Sequence, residues 1–128
     1  MKTNIEMIKK PDIDLTVIIV TGILSKEKML DTLADYYSSQ PTKLILCDLM
    51  RATWSNMESG HVLAAISKAQ QHAVVRKGCK TAVVVGSEHD FSITQMFASI
   101  ASGEEYGPEI MVFKNIVKAS SWLGISEI

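Results

Sequence analysis

The sequence predicts an α/β fold: a mostly parallel five-stranded sheet, an antiparallel N-terminal hairpin, and helices packed on the sheet, in the order β-β-α-β-α-β-α-β-α. Short β-branched runs such as "LTVIIVTG" and "KTAVVVG" alternate with longer stretches whose apolar residues recur at helical spacing. The strand runs are apolar at consecutive positions, as strands covered on both faces are. The link between the first two strands, "PDID", is far too short for a crossover, so those strands pair antiparallel. A chain of 128 residues suffices for one domain with a real core, and residues 1–128 are expected to form a single domain.

Each element has a local reason. "NIEMIKK" alternates apolar and polar residues and predicts a short strand; "PDID" is turn chemistry; "LTVIIVTG" is the second strand. Ser25 caps a helix through about Ser39, with Met29, Leu30, Leu33, Ala34 and Tyr37 on its apolar stripe and Pro41 beyond its end. "KLILCDLM" predicts the third strand. Residues 56–76 predict a second helix, with Val62, Leu63, Ile66, Ala69 and Ala73 on one stripe and Gly78 at its stop. "KTAVVVG" is the fourth strand. "FSITQMFASIASG" predicts a third helix, with Ser92 as N-cap, Gln95 as its capping-box partner, Phe91 and Met96 at staple positions, and Gly103 at the end. "EIMVFKN" follows Pro108 as the fifth strand. "IVKASSWLG" predicts a last short helix between an Asn115 cap and a Gly124 stop.

Composition excludes several function classes. The 13 basic and 14 acidic residues nearly cancel, and Arg51 and Arg76 are the only arginines, so the positive excess of a nucleic-acid binder is missing. No stretch approaches the roughly 20 apolar residues of a membrane span. The opening "MKTNIEMIKKPDIDL" lacks the apolar core and small-residue cleavage site of a secretion signal, so a cytoplasmic location is expected. Cys47 and Cys79 adjoin apolar runs with neither a C-x-x-C spacing nor a nearby base, which fits free thiols in a reducing compartment. No Gly-rich phosphate loop, G-x-S-x-G elbow or metal-ligand spacing is present, so no cofactor, metal or catalytic residue is assigned.

Two stretches carry a family resemblance. One is a strand ending in aspartate, "LILCDL", followed about ten residues later by a helix opening with Ser59-Gly60. The other is the ending "VFKNIVKASSWLG", with its Ala-x-x-Trp-Leu close. Together with the element order, they resemble the STAS fold of bacterial anti-sigma-factor antagonists, in particular small SpoIIAA-like proteins of unsettled function. The resemblance implies a non-enzymatic regulatory module that binds another protein. The antagonists carry Asp-Ser-Ser-Gly or Asp-Thr-Ser-Gly at this helix start, and a partner kinase phosphorylates the first hydroxyl. Here the four positions read Met57-Glu58-Ser59-Gly60, so Glu58 stands in place of the phosphoacceptor and only Ser59 and Gly60 match. The related topology of CRAL-TRIO-type lipid-transfer domains implies the alternative of a small apolar-ligand carrier.

Glu58 also has a purely structural reading. Ser55-Asn56-Met57-Glu58 fits the S-x-x-E capping box, and a carboxylate in a first helical turn suits the helix dipole. The residues expected to meet a protein partner are Arg51, Trp54, Glu58 and Ser59, at the end of the third strand and the start of the following helix. The residues expected to line an apolar-ligand site are Met50, Met57 and Met96, with Asp48 and His89 beside them. Glu88 and Asp90 fall in the same set of loops. Homodimerisation through a helix stripe or sheet edge is a further expectation.

Overall fold

In the computed structural model, which describes residues 3–39, 41–54, 78–101 and 109–125, alternation decides the first element. In strand β1 (Asn4–Lys10), Ile5 and Met7 turn toward the core while Glu6 and Ile8 turn away. Pro11–Ile13 form a single 3-10 turn, and Asp14 closes it in the left-handed conformation at φ 51°, which a short polar side chain tolerates. The chain then reverses into β2 (Leu15–Leu24), antiparallel to β1, with Lys10 opposite Leu15 and Asn4 opposite Thr21. The expected hairpin is therefore present, and β2 runs two residues beyond its predicted end.

Helix α1 (Lys26–Ser38) starts at Ser25, whose Oγ accepts the Lys28 N–H at 3.2 Å. Its buried line runs through Met29 and Tyr36, whereas Ala34 is exposed and Tyr37 half-buried. Met29, Leu30, Leu33 and Tyr37 of the predicted stripe all pack on the core, and Tyr36 joins them in place of Ala34 because its hydroxyl has polar partners inside. Its hydroxyl accepts the Thr42 N–H at 2.8 Å and donates to the Thr42 carbonyl at 3.1 Å. Thr42 in turn meets the buried Thr16 hydroxyl at 2.8 Å. This satisfied network ties the end of α1 to the entry of the next strand.

Strand β3 (Leu44–Trp54) lies parallel to β2, and β4 (Lys80–Val85) lies parallel to β3. Helix α2 (Glu88–Ala101) leads to β5 (Glu109–Phe113), and α3 (Ile116–Leu123) closes the described chain. Among the described residues the sheet order is β1-β2-β3-β4-β5, with only β1 antiparallel. The predicted second helix at 56–76 and its loops lie outside the described residues.

Two core layers flank the sheet. One holds Ile18, Val20, Ile45 and Val85 under Met29 and Tyr36 of α1 and Ala98 of α2. The other holds Val17, Leu46, Ala82 and Val84 under Ala119 and Leu123 of α3. The crossovers through α1 and α2 step the same way along the sheet, and right-handed connections place such helices on one face. The terminal helix covers the other. Its ends are those the sequence predicts: Asn115 Oδ1 accepts the Val117 and Lys118 N–H groups at 2.8 and 3.2 Å, and Gly124 ends it at φ 80°.

Candidate functional site

Strand β3 is not regular. Ile19 pairs with Asp48, but Thr21 pairs with Arg51, so three residues of β3 span two of β2. This is a β-bulge, and Asp48 holds it: its Oδ1 accepts the Met50 N–H at 3.0 Å. The bulge resets the side-chain alternation. Leu49 and Ala52 both reach the α1/α2 core layer, whereas a regular strand would turn them to opposite faces. Met50 (44% exposed) and Arg51 are left at the surface.

Strand β4 ends beside this bulge. A Cβ at Gly86 would sit 2.5 Å from the Met50 carbonyl oxygen, so only glycine lets the two backbones approach this closely. The next residue starts α2. Ser87 Oγ accepts the Asp90 N–H at 3.1 Å, and the Ser87 carbonyl accepts the Phe91 N–H at 2.9 Å. The cap is therefore Ser87 and not Ser92, which lies inside the helix. Both serines begin a plausible capping sequence. The earlier one prevails because the extra turn brings Phe91 against the core. Glu88 and Asp90 in the first turn suit the helix dipole. Glu88 pairs with Lys114 beyond β5, and Lys114 Nζ lies 5.1 Å from the Phe91 ring centre. His89 is exposed.

The sequence-predicted residues are distributed around this edge. Arg51 and Trp54 belong to β3, opposite Thr21 and Leu24, beyond the predicted end of that strand at Met50. The bulge and the continued pairing with β2 extend the strand past its apolar run. Met57, Glu58 and Ser59 lie outside the described residues. Met96 is 43% exposed on α2, two turns beyond its start. A shallow depression opens here, and its described lining is Leu24, Leu49, Ala52, Thr53, Val85 and the buried Asp90. Met50, Met96, Asp48 and His89 are not in that lining. Sequence reasoning missed Gly86 and Ser87. The step from "VVVG" to S-x-x-D was the readable signal for both.

Cys47 lies one residue before the bulge and packs against the α1/α2 core layer. Burial, and secondarily the adjacent Asp48 carboxylate, pushes its thiol up from 9.0 to about 12. The thiol is therefore protonated at neutral pH and a poor nucleophile. Among the described residues, no group of three or more His, Cys, Asp or Glu side chains is placed to hold a metal ion. No described helix is long and apolar enough to cross a membrane.

No protein-family model matches the chain, and no curated protein matches it by sequence. Solved structures do match. An uncharacterized protein with a SpoIIAA-like fold from Shewanella loihica superimposes with a TM-score of 0.59 at 15% identity, over 94% of this chain and 93% of that one. An anti-sigma factor antagonist from Mycobacterium paratuberculosis superimposes with a TM-score of 0.53 at 10% identity, over 96% of this chain and 95% of that one. The chain has a SpoIIAA-like fold, with a five-stranded mixed sheet that is antiparallel only at its first pair.

Proposed function

We propose that this chain is a non-enzymatic regulatory module that binds a protein partner at the carboxyl edge of its sheet. The observation that carries this reading is the β3 bulge. It turns Met50 and Arg51 out to solvent where the strand leads into Trp54 and the segment bearing Glu58 and Ser59. An Arg and a Trp at one strand end are the residue types that dominate interface energetics. The shared fold with an anti-sigma factor antagonist supports a regulatory role of this kind. Glu58 then supplies a permanent negative charge where the antagonists that the sequence resembles carry a phosphoacceptor hydroxyl, so binding here is independent of phosphorylation at that position.

The test compares the wild-type chain with an Arg51→Glu/Trp54→Ala variant, using the partner recovered from the protein's own source. The variant loses about tenfold or more in affinity, while its thermal midpoint stays within about 2 °C of wild type. Undiminished affinity in a folded variant overturns the reading. An apolar-ligand carrier is the second reading. The described depression is a shallow surface feature with no enclosed volume, far short of the ~300 Å³ or more of ordinary ligand sites. Native mass spectrometry separates the two: an added mass that leaves on denaturation moves the carrier ahead.

A further inference from the structure

Strand β1 stands at the edge of the described sheet, with β2 on one side and no described strand on the other. An edge strand presents backbone N–H and C=O groups that a second strand can pair with. Natural edges are commonly guarded by lysine, and β1 ends in Lys9-Lys10. Lysines guard only against partners that leave them unpaired or set them against like charge. The side chains of β1 alternate, and Ile5 and Met7 face the core, which puts Glu6, Ile8 and Lys10 together on the opposite face. Ile8 is 40% exposed there, in the middle of the strand and between the two charges.

We propose that β1 pairs antiparallel with β1 of a second copy of this chain, about a two-fold axis at Ile8. The register follows from symmetry. Residues opposite each other across an antiparallel pair share a face, so a two-fold axis normal to the sheet passes midway between a residue and its own symmetry mate. An axis at Lys9 sets lysine against lysine, and one at Glu6 sets glutamate against glutamate. An axis at Met7 leaves Glu6 opposite Ile8 and Lys10 opposite Asn4. Only the axis at Ile8 joins opposite charges: each Glu6 faces Lys10 of the second copy, twice over. Ile8 then faces its own symmetry mate between them. Side chains directly opposite each other are about 5 Å apart at Cβ, within reach of an ion pair. Pro11 and the 3-10 turn stop the pairing at Lys10, which leaves five residues per strand, Glu6–Lys10. The two five-stranded sheets become one continuous sheet. So short a contact is small beside the ~1,200–2,000 Å² of a stable complex, so the dimer forms on the order of micromolar concentration or above.

Sedimentation velocity over about 1 μM to about 1 mM tests this on the full chain, with circular dichroism to confirm folding. The wild-type chain dimerises. Glu6→Lys raises the dissociation constant about tenfold or more, because each new lysine faces Lys10. Lys10→Glu does the same by setting glutamate against Glu6. The double swap, Glu6→Lys with Lys10→Glu, restores the wild-type constant, which a merely structural effect of either change does not produce. A wild-type chain that stays monomeric throughout overturns the proposal. So does a dimer indifferent to either single substitution, or one that the double swap fails to restore.

Discussion

Gly86 shows how much one residue constrains the candidate site. Its backbone lies against the Met50 carbonyl, and a Cβ would come within 2.5 Å of that oxygen. The obstacle is backbone rather than a flexible side-chain tip, so Gly86→Ala must move either the bulge or the start of α2. A destabilisation of about 1–3 kcal/mol is expected, read as a lower urea midpoint with an unchanged slope. Asp48 is the complementary case. The sequence marks it as a strand-ending aspartate, but its service is local: its carboxylate accepts the Met50 N–H and holds the bulge. Tyr36 was hidden for a different reason. An apolar stripe counts greasy positions, and Tyr37 fits that count as well as Tyr36 does. Only the placement of Thr42 and Thr16 decides which hydroxyl is needed inside.

At the scale of elements, local chemistry sets helix ends well when it is unambiguous. Ser25 and Asn115 both cap as their sequences imply. Asn115 satisfies two backbone N–H groups of an eight-residue helix, α3, which is too short to be stable alone. Asn115→Ala is expected to cost about 1 kcal/mol, within the 0.5–2 kcal/mol typical of lost caps. The loss shows as a lower thermal midpoint, and faster amide exchange is expected first in α3. Lys80 steadies the other end of this helix. Its Nζ lies 5.0 Å from the Trp122 ring centre and donates to the Trp122 carbonyl at 3.3 Å. Helix α2 is where local reading failed. Two serines offered a cap, and the close approach of Gly86 to Met50 ended β4 early enough for Ser87 to prevail. In β3, the apolar run "KLILCDLM" understated the strand, because pairing with β2 continues through Arg51 and Trp54 without needing apolar residues.

At the scale of the whole molecule, the two core layers make the stability of the sheet depend on groups buried between helices and strands. Cys47 is one, and it links folding to pH. Its thiol rises from 9.0 to about 12 on folding, so the folded state holds its proton more tightly than the unfolded state. That contribution is fully present below pH 9.0 and is lost as pH climbs toward about 12. Denaturant titrations are expected to show a decline in stability above about pH 9 that Cys47→Ala reduces. Native Cys47 should also react far more slowly with a thiol reagent than it does in denaturant. The strand and helix types, the antiparallel hairpin and the order of the described elements were determined by the sequence itself. They follow from side-chain periodicity and turn chemistry, which act over a few neighbours. Tertiary structure alone decided the bulge at Asp48–Arg51, the exposure of Met50, the Glu88–Lys114 pair and the placement of Glu6, Ile8 and Lys10 on one face of the strand at the edge of the described sheet. Those features arise where strands far apart in the chain meet, and the energy of that meeting belongs to no single stretch of sequence.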